Sequence, residues 1–319
     1  MKVFDTAEFA AYIGIDWADN NHDICEIARG SSQSQHSIIK HHPEDIHHWA
    51  MSLLKRYHGE LIAVACELRK GPLINALRQY EHLVIFPINP TTVAKYRKAF
   101  ANSGSKSDVM DASIQTEILL LHPERLTPLK VEKKDIRILE QLVVYRRQLT
   151  QNSVDMTNKI TSVLKLYHPQ ALDWFEDKDS IIFCDFLLKW PSLQILQRAR
   201  SHTIMAFFNA HHSRYTATNE ARIKGIKQAR PLTQDSAFIL PNQMMVSLLV
   251  PQLKLLIEAI KKLNGEIRHY YRKQSDYPIF DSLPGAGPQM GPCLMVAMGT
   301  DRTRYVPQQT FKNMPALRL

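Results

Sequence analysis

Asp16, Glu67, Asp108 and Asp111 are the residues of this chain whose types and spacing best suit chemistry. Asp16 closes the apolar run Tyr-Ile-Gly-Ile-Asp (12–16), and Glu67 closes Leu-Ile-Ala-Val-Ala-Cys-Glu (61–67). Asp108 and Asp111 stand three apart in Ser-Lys-Ser-Asp-Val-Met-Asp-Ala (105–112), where a helical pattern starts, and that spacing puts both on one helix face. A carboxylate at the end of a buried strand loses hydration that a divalent cation can replace. Hard oxygen donors in this number suit Mg²⁺ or Mn²⁺. Two such ions, about 3.5–4 Å apart, can clamp the attacking and leaving oxygens of a phosphodiester exchange. The expected chemistry is the cutting or joining of nucleic-acid strands.

Those acids need a scaffold that gathers three distant segments. Residues 12–16, 22–28 and 36–40 read as three short strands joined by polar turns, with Asp19 and Asp23 solvated in and beside the first turn. Pro43, followed by Glu44 and Asp45, opens an amphipathic helix over 43–54. Residues 61–67 read as a fourth strand, 72–81 as a helix, 83–88 as a fifth strand, and 90–100 as a further helix. This order matches an α/β, ribonuclease-H-like fold, in which the first and fourth strands lie side by side and present their carboxylates at one edge. Trp17, next to Asp16, reads as core packing. Arg69 and Lys70 directly follow Glu67, and Lys106 lies beside Asp108; each could hold a nucleic-acid phosphate or simply balance the acids.

With 319 residues the chain has room for two or three domains. A net charge of +9 favours an anionic partner such as nucleic acid. Cys25, Cys66, Cys184 and Cys293 are scattered and form no Cys-x-x-Cys pair, which argues against a disulfide framework or a zinc ribbon. The histidines between His41 and His48 straddle a helix start and have no supporting cysteine, so zinc is not expected there. No signal-peptide core or membrane-length apolar run is read, and the expected location is cytoplasmic.

From Lys133 to Tyr167, apolar residues including Ile138, Leu142, Leu149, Met156 and Ile160 recur at helical spacing without Gly or Pro. A helix this long needs a partner surface, as a helical hairpin or an intersubunit coiled coil, and a homo-oligomer is the expectation. A second long helix is read from Pro251 to Lys273. Between them, residues 189–230 hold eight Lys or Arg and one acid, Glu220. Arg198, Arg200, Arg214, Arg222, Lys224, Lys227 and Arg230 are the candidate phosphate contacts of this tract, which could equally be a solvated face. Further on, Ser-Leu-Pro-Gly-Ala-Gly-Pro (282–288) precedes an apolar helix and resembles a helix-hairpin-helix turn, with Gly285 and Gly287 letting backbone N–H groups approach a phosphate.

These residues together resemble the insertion-sequence transposases of the one-ten family, in which a RuvC-like DEDD domain is followed by a helical region and a second transposase domain. Gly-Ile-Asp-Trp-Ala (14–18) matches the first acid, Cys-Glu-Leu-Arg-Lys-Gly-Pro-Leu (66–73) the second, and residues 105–112 the paired acids. Leu-Pro-Gly-Ala-Gly-Pro and the later Thr-Asp-Arg-Thr-Arg-Tyr (300–305) are similar to the start of the second domain. The expected division is 8–125 for the RuvC-like domain, 126–275 for a helical, coiled-coil region with the basic tract, and 276–319 for part of the second domain. The resemblance implies a DNA transposase that cuts and rejoins DNA, guided by a structured RNA made by the element. It also implies a catalytic Ser in the second domain. Ser282 precedes the turn and does not match, so the expectation is a chain without the Ser segment.

Competing readings are a RuvC-like junction nuclease, an inactive truncated remnant that still binds nucleic acid, and an actin-like ATPase. The long helical insert argues against the first. The ATPase would need a second Asp-Gly-Gly phosphate loop, which is absent from the sequence.

Overall fold

The computed structural model describes residues 9–67, 71–100, 108–130, 132–213 and 215–300, which fall into two units divided after residue 131. In the first unit, β1 (Ala11–Trp17), β2 (Asn21–Ala28) and β3 (Ser34–Lys40) form an antiparallel meander. The chain returns through α1 (Pro43–Arg56) to β4 (Ile62–Cys66), then through α2 (Pro72–Leu77) to β5 (Leu83–Pro87). β4 pairs parallel with β1 and β5 parallel with β4, giving the order β3-β2-β1-β4-β5. Helices α3 (Pro90–Phe100) and α4 (Asp108–Leu121) follow.

β4 is buried throughout and β1 over its first five residues, as expected for central strands covered on both faces. Their alternation sorts the core into two layers. Ile13, Ile15, Val64 and Cys66 pack with Trp49 and Leu53 of α1 and Leu73 and Leu77 of α2. Tyr12, Ala63 and Ala65 pack on the other side with Val93 of α3 and Ile114 and Ile118 of α4. The α1 start is as expected: Pro43 occupies the first turn with Glu44 and Asp45, where they complement the helix dipole.

The second unit, among its described residues, is helical: α5 (Lys134–Tyr167), α6 (Ile181–Lys189), α7 (Leu193–Arg198), α8 (Ser201–Ala210), α9 (Thr216–Gln228), α10 (Ser236–Arg272), α11 (Tyr277–Asp281) and α12 (Gly287–Met298). α5 and α10 pack antiparallel. Ile160 and Leu164 meet Val246, Val250 and Leu253, while Ile136 and Leu139 meet Ile267 and Tyr271. The α5 stripe is therefore covered largely by a helix of the same chain. The hairpin reading, rather than an intersubunit coiled coil, accounts for it.

α10 departs from expectation by starting at Ser236 and running through Pro241 and Pro251. Asp235 caps its start, accepting a 2.9 Å hydrogen bond from the Ala237 N–H. Each interior proline costs about 3 kcal/mol, which the burial of Val246, Val250 and Leu253 offsets. By length and composition α10 could cross a membrane, with a mean hydropathy of 1.4 over one 18-residue window, contrary to the reading that no such run exists. Only 17% of that window is buried within the structure. After α11 the chain turns through Gly285 (φ 76°) and Gly287 (φ 52°), left-handed conformations that glycine adopts without a Cβ penalty.

Candidate functional site

Ile15 of β1 and Cys66 of β4 are register partners in the parallel ladder, and an acid follows each, Asp16 within β1 and Glu67 just past the end of β4. Alternation puts Asp16 on the same side of β1 as Tyr12 and Gly14, the side on which α4 lies. The approach there is close: a Cβ added to Gly14 would stand 2.1 Å from the Ala112 carbonyl oxygen and 2.6 Å from Thr116 Oγ1. Thr116 Oγ1 lies 2.9 Å from the Ala112 carbonyl and 3.0 Å from that of Cys25 in β2, tying helix to sheet. Tyr12 packs in one cluster with Ile118 and Leu119, while Gly14 meets Ala112. Passing along β1 toward Asp16 thus leads toward the start of α4, where Asp108 and Asp111 occupy the first turn.

The acids differ in environment. Asp108 is exposed, Asp16 and Glu67 are half-buried, and Asp111 is buried and ion-paired with Arg97 of α3. Gln115, one turn beyond Asp111, is fully buried, and neither its amide oxygen nor its nitrogen has a hydrogen-bond partner among the described residues. Among the described residues, no three His, Cys, Asp or Glu side chains form a group that could hold a metal ion. The donor chemistry nonetheless fits Mg²⁺ or Mn²⁺, being entirely oxygen. The first turn of α4 is also a favourable place for acids on dipole grounds alone.

Sequence reasoning missed three neighbours. Arg97 gave no signal within its helix. Asp23, read as solvated, is half-buried and pairs directly with Asp16 across the antiparallel ladder, an arrangement of like charges that a cation relieves. The register of the β1–β2 hairpin could have revealed it. His22, buried opposite Trp17, lies with Nδ1 3.4 Å from the Ala18 N–H and Nε2 2.9 Å from His41 Nδ1. Burial, reinforced by His41, pushes the His22 pKa down to about 4, so the ring is neutral near pH 7, and Nε2–H donates to His41 when Nδ1 accepts. Trp17 stacks on this ring and packs into the α1–α2 layer, in keeping with a core role.

The basic tract separates into two kinds of cation. Lys227 donates from Nζ to the carbonyls of Gln197 (2.6 Å) and Ala199 (2.5 Å), closing the end of α7. Arg222 lies over the rings of Phe175 and Phe208, 5.6 and 5.5 Å from their centroids. Both thus have interior tasks that a count of charges does not show. Arg198, Arg200, Lys224 and Arg230 are exposed, with no ion pair among the described residues. Arg69, Lys70, Lys106 and Arg214 lie outside the described residues, as do residues 301–319. Deeper in this unit, Asp185 takes hydrogen bonds from Lys254 Nζ (2.7 Å) and His211 Nε2 (3.0 Å). Partial burial raises its pKa, but those two partners outweigh the effect and hold it below the usual carboxylate range.

Residues 13–169 match the family model described as a transposase of the DEDD, IS110 type. A protein of Streptomyces coelicolor named as the mini-circle transposase for IS117 is 27% identical over 322 aligned positions, covering 95% of this chain and 74% of that protein. A Sinorhizobium fredii protein named as transposase y4uE is 24% identical over 206 positions, covering 64% of this chain and 57% of its own length.

Proposed function

Given that this chain belongs, through residues 13–169, to the IS110 family of DEDD transposases, we propose that it acts in the cutting of insertion-element DNA, with Asp16, Glu67, Asp108 and Asp111 as the carboxylates that hold Mg²⁺ or Mn²⁺. When bound, such ions polarise the phosphodiester and stabilise charge on the attacking and leaving oxygens. The observation that supports the reading is the β1–β4 register, in which Ile15 pairs with Cys66 and an acid follows each, together with the close contact at Gly14 that lays α4 over that face of β1. Arg97 pairs with Asp111 and orients it in a buried position. Asp23 stands beside this set and adds to its negative field.

We read the first unit as ribonuclease-H-like and the α11–α12 turn as a helix-hairpin-helix element whose Gly285 and Gly287 backbone approaches phosphate. Arg198, Arg200, Lys224 and Arg230 contact the nucleic-acid backbone, of DNA or of a structured guide RNA. Homo-oligomerisation is supported by the exposed apolar residues Phe238, Leu240, Met244 and Leu248 of α10, and the cytoplasm is the compartment where such DNA is met. Incubating the chain with element-end DNA, with and without the element's RNA, in Mn²⁺ tests the reading. Cleavage that disappears in Asp16→Asn and Asp108→Asn is expected. Cleavage undiminished in both variants would remove these carboxylates from the chemistry.

A further inference from the structure

Helices α8 and α9 border a groove of about 410 Å³, lined by Ser201, His202, Met205, Glu220, Ile223, Lys224 and Lys227. Its walls differ in kind. Met205 and Ile223 give it an apolar floor, and both pack against the helical core. Lys224 stands exposed on the rim, and Arg200 immediately precedes Ser201. Lys227, on the exposed side, donates from Nζ to the Gln197 and Ala199 carbonyls. Glu220, one helical turn before Lys224, makes no ion pair with it and leaves its carboxylate exposed at the groove.

The volume lies in the range of a small-ligand cleft and is far too small to admit a duplex. A cationic rim suits the phosphates of an unpaired strand, and the aliphatic floor gives the flat face of a base an apolar surface to cover. A carboxylate in such a cleft accepts hydrogen bonds from exocyclic base amines, which cytosine carries and thymine and uracil lack. Building on the nucleic-acid reading above, we propose that this groove takes one nucleotide of an unpaired DNA or RNA segment. The base rests on Met205 and Ile223 with its amine at Glu220, and the phosphate lies at Lys224.

Fluorescence anisotropy of the full chain at low salt tests this with labelled cytosine and thymine 20-mers, their RNA counterparts, and a duplex of equal length. Wild type is expected to bind cytosine strands at least about fivefold more tightly than thymine strands. Glu220→Gln, which can both donate and accept, is expected to erase that preference. Lys224→Glu is expected to weaken single-strand binding by about tenfold on whichever of DNA or RNA binds more tightly, and circular dichroism verifies the fold of each variant. Single-strand binding that is indifferent to both substitutions, or equal for cytosine and thymine, overturns the groove assignment while leaving nucleic-acid binding intact. No binding of any strand or of the duplex by the wild type overturns both readings.

Discussion

Gly14 of β1 and Thr116 of α4 lie so close that a single methyl on the glycine would stand 2.6 Å from the threonine Oγ1 and closer still to the Ala112 carbonyl. The obstacle at Ala112 is backbone, which cannot swing aside. Gly14→Ala is expected to push α4 off the sheet and to destabilise the first unit by about 3 kcal/mol, near the upper end for overpacking. Urea titration checks it; a midpoint equal to wild type would mean that α4 yields without cost.

The proposed metal binding by the acids at the strand ends and on α4 is open to direct measurement. Asp16→Asn and Asp108→Asn are each expected to weaken Mg²⁺ or Mn²⁺ binding by at least about tenfold in calorimetry, since each removes an anionic donor. Unaltered affinity in both would place the ions elsewhere.

The Arg97–Asp111 pair gives a sharper test, because Asp111 is only 2% exposed. Arg97→Met leaves a buried carboxylate without its countercharge, at an expected cost of about 3 kcal/mol. Added Mn²⁺ is then expected to stabilise the variant more than it stabilises wild type, as the cation takes over the neutralisation. Equal Mn²⁺ stabilisation of the two proteins in thermal melts would separate Asp111 from the metal site.

The two kinds of cation in the basic tract predict opposite phenotypes. Lys227→Ala is expected to lower stability by about 1 kcal/mol through the lost carbonyl caps, with only a small change in the salt slope of DNA binding. Replacing Arg198, Arg200, Lys224 and Arg230 by Gln is expected to flatten that slope by about 0.7–0.9 for each phosphate that is no longer neutralised, with stability unchanged. A salt slope insensitive to all four would make them a solvated face.

His168 is fully buried, and burial pushes its pKa down to about 4 from an ordinary 6.5. The unfolded chain therefore binds a proton that the folded chain refuses. The stability contribution is complete above about pH 6.5 and is lost as pH falls toward about 4, by up to about 3 kcal/mol. His168→Phe is expected to flatten the loss of stability between about pH 7 and pH 4.5; an identical pH profile would assign acid sensitivity to other groups, His22 first among them.

Much of the first unit was legible because its strands are short apolar runs bounded by polar turns, and because an acid at a strand end stands out. What stayed hidden depended on contacts distant in sequence. The cover of the α5 stripe comes from α10, roughly a hundred residues later, and Pro241 and Pro251 obscured the helix that provides it. Nor does the sequence distinguish Lys227, whose ammonium is spent on carbonyls, from Lys224, whose ammonium stands in solvent. Arg97 is a further example, since its partner lies in the next helix and its spacing from Asp111 fits no local rule.

The same seam between β1 and α4 sets an order of events during synthesis. Asp16 leaves the ribosome roughly ninety residues before Asp108 does, a delay of about 5–20 s at ordinary elongation rates. Through that interval the sheet can begin to form and α3 can follow, but the face carrying Asp16 and Glu67 lacks α4, and Gly14 stays uncovered. The last element of the first unit to be translated therefore brings in the final two acids, and a nascent chain stalled before α4 carries the strand carboxylates without the helix that completes their face.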